Sequence, residues 1–238
     1  MAELDSAALS KRTAWATRSG TETYIQEMGR YAVERDAQIV REMLGTARTS
    51  DAALLDLPCG TGRFLDLEKE LGFEVTGADY SPTMMGVAQR HPNVKFVQAD
   101  AFNPPFAPDS FDAILIIRLM FHYRNPEDIL AALLPSLRPG GRIIFDTLNT
   151  FSLRWWASKV IGLVRRDPAR RLYFESFSTM QAKLRKLGLK VVGRRSAYYY
   201  PTRLYRMLPG PLVTLTHLWE KLVPQRFRVL TYWHVERE

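Results

Sequence analysis

The 238-residue chain is 46% hydrophobic and carries 33 Lys+Arg against 25 Asp+Glu, with a single cysteine, Cys59. That length supports one α/β domain with a substantial core, and one cysteine excludes an internal disulfide. No apolar run approaches the ~18 residues of a spanning helix, and the start MAELDSAALSKRTAW has acids and no apolar core, unlike a secretory signal, so a cytoplasmic protein is expected.

Helical spacing of Tyr24, Met28, Tyr31, Ile39, Val40 and Met43 predicts a first helix over residues 21–44, stopped by Gly45. An alternation follows. Residues 52–57 (AALLDL) read as a buried strand, 62–71 as a helix ending at Gly72, and 73–78 (FEVTGA) as a second strand. Ser81 and Pro82 open a helix, Ser81 as N-cap and Pro82 in the first turn. Residues 94–98 (VKFVQ) and 111–117 (FDAILII) give a third and a fourth strand. Asn125 and Pro126 repeat the cap-and-proline signal for a helix ending near Leu137, and 142–146 (RIIFD) give a fifth strand. Strands separated by helices imply βαβ units, hence a mostly parallel sheet covered on both faces.

Beyond Asp146 the pattern loosens. Residues 147–166 hold a short helix with Trp155 and Trp156. Ser178 with Gln181 forms a capping-box pair for a helix to Leu187, closed by Gly188. Residues 189–200 read as a strand, 201–224 as a proline-punctuated, partly helical segment, and 227–236 as a last strand. No repeat or low-complexity linker divides the chain, so residues 1–238 are expected to form one domain. Composition does shift: residues 1–150 carry 15 Lys+Arg against 20 Asp+Glu, whereas 151–238 carry 18 against 5 and hold 14 of the 27 aromatics. A basic, aromatic third fits contact with an anionic surface, or a solvated basic face.

Residues 54–64, LLDLPCGTGRF, are the most informative. A buried strand ends in Asp56, a tight turn carries Gly60 and Gly62, and a helix follows. Glycines there let backbone N–H groups approach a ligand, and ligands of doubly wound sheets sit at the carboxyl ends of the strands. Asp79 ends the second strand, 19 residues after Gly60, where a carboxylate can accept both hydroxyl hydrogens of a ribose. Asp100 ends the third, where it can accept from an adenine amino group. One strand-end Asp is often a helix cap; three at successive strand ends are harder to explain by capping.

The run Asp-x-x-Cys-Gly-Thr-Gly (56–62) resembles the S-adenosylmethionine (SAM)-binding loop of the class I SAM-dependent methyltransferases. The similarity continues through GADYSPTMM (77–85), VQADAFNPPF (97–106), SFDAIL (110–115) and LRPGGRIIFDT (137–147), in the family's order. The resemblance implies a Rossmann-like, doubly wound seven-stranded sheet, mostly parallel with one antiparallel strand. It also implies an N-terminal lid helix bringing Tyr24 and Tyr31 over the site, a SAM-binding core in residues 50–150 and substrate-cap insertions in 151–225. By the same resemblance Asp56 and Gly60 lie near the methionine portion of SAM, with Pro58, Cys59 and Gly62 completing the loop. Asp79 meets the ribose, Tyr80 and Met84 the adenosine, Asp100 and Ala101 the adenine, and Arg118 lines the cofactor pocket. S-adenosylhomocysteine is the implied product. Pro58 departs from the family, standing where the first glycine usually lies; proline fixes φ and offers no N–H.

Two motifs are decoys. Asn103-Pro104-Pro105-Phe106 resembles the active-site run of amino-directed DNA, RNA and protein methyltransferases, but it precedes the fourth strand instead of following it, and reads as a connection. The segment from Gly60 lacks the third glycine of the dinucleotide fingerprint, which leaves a dehydrogenase as a distant alternative.

Methyl transfer from a sulfonium needs mainly alignment, and a base only where the acceptor must lose a proton. His122, after the fourth strand, is the best-placed base, unless it merely starts a helix. Arg118 can hold an acceptor carboxylate or phosphate or form a salt bridge within the fold, and Tyr123 is a further candidate. Strand alternation sends Tyr199 to the face opposite Tyr198 and Tyr200. His217 and His234 fall on structural elements. No cluster has metal-ligand spacing, so no metal is expected. Residues 153–166 (LRWWASKVIGLVRR) and 208–223 (LPGPLVTLTHLWEKLV) are apolar, the former with four cations, and either lie in a membrane interface or roof the pocket. Both versions imply a small, apolar acceptor, a lipid, quinone precursor or other natural product, methylated at a hydroxyl or amine; the first adds peripheral membrane contact. The alternatives are an RNA-modifying methyltransferase or a non-catalytic SAM-binding protein. With no RNA-binding module visible, nucleic acid is not the expected partner, and Asp56, Asp79 and Asp100 favour catalysis.

Overall fold

The computed structural model describes residues 30–164, 171–200 and 210–237, together with Thr13, Thr17 and Met207. Five parallel strands form its centre: β1 (Ala53–Asp56), β2 (Glu74–Asp79), β3 (Lys95–Gln98), β4 (Phe111–Ile116) and β5 (Leu137–Asn149). A two-residue strand β6 (Phe174–Glu175) pairs with β5 at Leu148 and Asn149, beyond the end of β4. β7 (Leu189–Ala197) and β8 (Leu230–Arg237) complete the order 3-2-1-4-5-8-7, with β8 antiparallel to both β5 and β7. The helices are α1 (Arg30–Leu44), α2 (Leu65–Glu70), α3 (Pro82–Ala88), α4 (Glu127–Leu133), α5 (Leu153–Val164), α6 (Phe177–Lys186) and α7 (Gly210–Leu222). This is the Rossmann-like sheet with one antiparallel strand, extended by β6.

Strand alternation explains the two cores. Leu54 faces one side of β1 and packs with Ile39, Val40 and Leu44 of α1 and Leu65 of α2. Leu55 faces the other and packs with Ile129, Leu130 and Leu133 of α4 and Met180 and Leu184 of α6. Side chains of successive strand residues point to opposite faces, so a run of apolar residues is the signature of a strand covered on both.

Several boundaries differ from the sequence expectation for local reasons. Ser81 caps α3 as expected, its hydroxyl accepting the Met84 N–H at 3.2 Å. The cap of α6 falls two residues before Ser178, because Ser176 takes the extended cap conformation and accepts the Thr179 N–H at 3.1 Å. α4 follows Pro126 with no side-chain cap, and a 3₁₀ turn around Pro135 ends it before Leu137. β7 stops at Ala197 because Tyr198 enters the left-handed region, φ 63°. Strand alternation therefore does not extend to the tyrosines: Tyr198 is fully buried, and Tyr199 and Tyr200 are half-buried. Residues 103–106 form the connection from β3 to β4, with the Phe106 ring edge-on to Phe111 at 5.2 Å. Tyr24 and the side chains of Tyr31 and His217 lie outside the described residues. No described helix is long and apolar enough to cross a membrane.

Candidate cofactor and active site

The carboxyl ends of β1 to β4 open into a cavity of about 880 Å³, counting space continuous with solvent. Pro58, Gly60, Asp79, Tyr80, Met84, Asp100, Ala101, Arg118, His122 and Tyr123 all line it. Leu57, Ser81, Ala99, Ile117 and Leu119 join them. Ser81 is legible in the sequence only as a helix cap and the other four carry no chemical signal; the strand ends place them.

Asp79 organises the loop. Its Oδ2 accepts the Gly60 N–H at 2.9 Å and its Oδ1 the Ser81 N–H at 2.8 Å. Burial pushes the carboxyl above the usual range, against the backbone donors Ser81, Gly60 and Tyr80. A carboxylate has about four lone-pair sites, so beside these three donors one acceptor position remains for a ligand hydroxyl. The amides flanking Pro58 are bonded within the fold, Leu57 to the Leu115 carbonyl and Cys59 to that of Ala78, and the Leu57–Pro58 peptide is cis. Gly60 sits at φ 56° with no atom within 4 Å of the position a Cβ would take.

Asp56, Cys59 and Gly62 are not among the lining residues. A Cβ on Gly62 would come within 2.9 Å of the His91 ring. Asp56 and Glu68 are buried, and none of their carboxyl oxygens accepts a hydrogen bond among the described residues. Burial raises both carboxyls well above their ordinary range; Arg63 opposes this at Asp56 while Asp79 adds to it, and Asp56 adds to it at Glu68.

A buried polar network backs the cavity, and of it the sequence offered only an internal salt bridge at Arg118. Asp36 on α1 accepts from Arg63 Nη1 at 3.0 Å, Arg118 Nη2 at 2.8 Å, the Tyr198 hydroxyl at 2.6 Å and the Tyr232 hydroxyl. Asp146 on β5 accepts the Arg118 N–H at 2.8 Å. Arg118, in the left-handed region at φ 67°, thus lines the cavity with its charge matched by carboxylates behind it. His122 closes the 3₁₀ turn Met120–His122, its N–H donating to the Leu119 carbonyl, and Tyr123 packs edge-on to Phe102 at 4.8 Å. His234 pairs with Ile144 and Gly193 within the sheet, away from this cavity. Among the described residues no group of His, Cys, Asp and Glu is arranged to hold a metal.

The donor set fits SAM. Asp79 and Asp100 offer acceptors for hydroxyl and amino hydrogens, and Ala99, Ala101 and Met84 offer an apolar bed for a purine. Fold and cavity together define a Rossmann-like protein with a ligand cleft at the carboxyl ends of its parallel strands.

Comparison with known proteins agrees. A sequence family described as "Methyltransferase domain" matches residues 55–145. The chain is 30% identical over 186 residues to a demethylmenaquinone methyltransferase of Thermus thermophilus, covering 75% of this chain and 77% of that protein. It is 29% identical over 164 residues to a ubiquinone biosynthesis O-methyltransferase of Xanthomonas euvesicatoria pv. vesicatoria, covering 64% and 68%. The fold superposes on a SAM-dependent methyltransferase of Thermotoga maritima with a TM-score of 0.71 at 17% identity, over 96% of this chain and 100% of that one. The chain belongs to the class I SAM-dependent methyltransferases. Its cofactor is SAM.

Proposed function

We propose that the protein methylates a hydroxyl or amine of a small apolar acceptor (a lipid, quinone precursor or other natural product) in the cytoplasm and against a membrane, through its basic, aromatic C-terminal third. One observation carries this reading: a single cavity is lined by the strand-end carboxylates Asp79 and Asp100 and by the segment Ile117, Leu119, His122 and Tyr123 after β4. A cofactor and an acceptor can therefore meet within it. The names of the two relatives, both quinone methyltransferases, support an acceptor of that chemical kind.

When bound, SAM supplies a methyl group on a cationic sulfonium, already a good leaving group, so the protein contributes chiefly alignment and close approach. Asp79 holds the ribose hydroxyls, Tyr80 and Met84 flank the adenosine, and Asp100 with Ala101 receives the adenine. Asp56 and the turn Pro58–Gly62 shape the methionine end, and Arg118 forms a wall between cofactor and acceptor. His122 takes the proton that a hydroxyl acceptor must lose, with Tyr123 positioning the acceptor beside it. Residues 1–238 act as one domain, with residues 50–150 for the cofactor and 151–225 as the acceptor cap.

The test is incubation of purified protein with methyl-labelled SAM and, separately, an apolar lipid extract and a polar metabolite extract. Label in the organic phase is the expected result. Label confined to polar products would overturn the apolar acceptor.

A further inference from the structure

α7 is built inside out. Leu212, Leu215, Leu218, Trp219 and Leu222 recur at the three- and four-residue spacing that gathers side chains on one helix face, and they are 46%, 62%, 55%, 51% and 76% exposed. Glu220 on the same helix is 2% exposed, its Oε1 accepting the Tyr199 N–H at 2.8 Å. Arg228 fixes this orientation: Nη2 caps the helix end at the Glu220 carbonyl, 2.6 Å, while Nη1 binds the Ser196 carbonyl of β7, 3.0 Å. The carboxylate is anchored inward and the leucines are held outward. Exposed leucines gathered with a tryptophan on one helix face mark a binding face.

We propose that this face of α7 docks the protein on an anionic lipid bilayer, the leucines and Trp219 entering the headgroup boundary while the exposed Lys221 and Arg226 meet lipid phosphates. Charge selects the occupant. Residues 151–238 carry 18 cations against 5 acids, so a second copy packing by the same patch would set like charges against each other. An apolar stripe with tryptophan and flanking cations is instead the pattern of a helix lying in a membrane interface. The use of this surface rests on the apolar-acceptor reading above, since such acceptors partition into membranes, but the docking itself is measurable with no acceptor present.

The full chain is sedimented with phosphatidylcholine vesicles with and without phosphatidylglycerol. Retention by the anionic vesicles, weakened by added salt, is expected. Leu215→Glu with Leu222→Glu is expected to weaken retention about tenfold or more, while SAM affinity stays unchanged. Should that variant fail to fold, Lys221→Glu with Arg226→Glu, both at exposed positions, is expected to abolish the preference for anionic vesicles. Absence of wild-type binding to anionic vesicles, or full binding by the folded leucine variant, overturns the proposal. A lipid-free dimer split by the leucine substitutions would also overturn it, assigning the face to a second copy. Vesicle binding together with label confined to polar products would sink the acceptor reading alone.

Discussion

Asp36 accepts a hydrogen bond from Arg118 at 2.8 Å, joining the N-terminal helix to the cavity wall across 82 positions of sequence. Burial opposes the Asp36 charge, but Arg118, Arg63 and the two tyrosine hydroxyls outweigh it and hold the carboxyl down to about 2. The fold therefore favours the ionised form: the stabilisation is present above about pH 4 and is lost as pH falls toward 2. Asp36→Asn is expected to lower the unfolding free energy by about 3 kcal/mol, the scale of breaking a buried ion pair, and to make acid destabilisation shallower between those values. Tyr198→Phe, which removes one donor, is expected to cost about 1 kcal/mol. Denaturant titrations across pH check both, and an Asp36→Asn protein as stable as wild type would remove the network as a determinant of the fold.

Asp146 behaves in the opposite sense. Burial raises its carboxyl to about 6, although Arg118 pulls it down. The folded state then binds a proton that the unfolded state has released, so stability falls as pH rises from about 4 to 6. The decrement is roughly 3 kcal/mol at most. Asp146→Asn keeps an acceptor for the Arg118 N–H and is expected to flatten this slope. An unchanged slope in the variant would assign it to other groups.

Gly60 and Gly62 separate two reasons for glycine. Both have positive φ, but only at Gly62 would a Cβ crowd neighbours, the His91 ring at 2.9 Å and Leu65 Cδ1 at 3.0 Å, so removal of the His91 side chain relieves part of the clash. Gly60→Ala is expected to cost about 1–2 kcal/mol from backbone conformation alone. Gly62→Ala is expected to cost more, and His91→Ala in the same chain to recover only part of the steric cost. Thermal or denaturant unfolding of the three variants tests this; equal costs for the two glycines would contradict it.

Cys59 is a reporter of opening. Burial, then Asp56, Asp79 and Glu68, push its thiol well above the ordinary range, so little thiolate exists to react. Alkylation of native protein is expected to be slow at pH 8, fast in denaturant, and slower still with saturating SAM, which binds only the folded state. Rapid native labelling that SAM leaves unaffected would place the thiol in reach of solvent.

Asp79 and His122 line the same cavity, and the roles proposed for them, cofactor holding and proton removal, are separable. Asp79→Ala is expected to weaken SAM binding by about 1–3 kcal/mol, the scale of a lost charged acceptor, because the Gly60 amide loses its partner as well. His122→Ala is expected to slow turnover and leave SAM affinity intact. Calorimetry on folded variants decides the first and methyl transfer the second. Unchanged affinity in Asp79→Ala would remove it from the cofactor site, and normal turnover in His122→Ala would remove it as the base.

The sheet was legible because parallel strands buried on both faces must be continuous apolar runs, and Leu54–Leu55 and Ile114–Ile116 are such runs. The edge of the sheet that carries the cavity was legible because Asp79 ends β2 and Asp100 lies two residues beyond β3, strands that hydrophobic runs mark in the sequence. Boundaries were less so: the α6 cap fell on Ser176 instead of Ser178, since either serine satisfies the local rule and only the backbone conformation of the entering chain selects one.

By itself, then, the sequence determined the parallel core, the glycine turn and the carboxylates at the strand ends, all set by short-range spacing. Tertiary structure decided that Asp36, Arg63, Arg118, Tyr198 and Tyr232 meet behind the cavity, and that Glu220 points inward while its leucine neighbours point out. Those outcomes depend on contacts between residues far apart in the chain. No local periodicity encodes which buried charge will find a partner, or which face of a helix another element will cover.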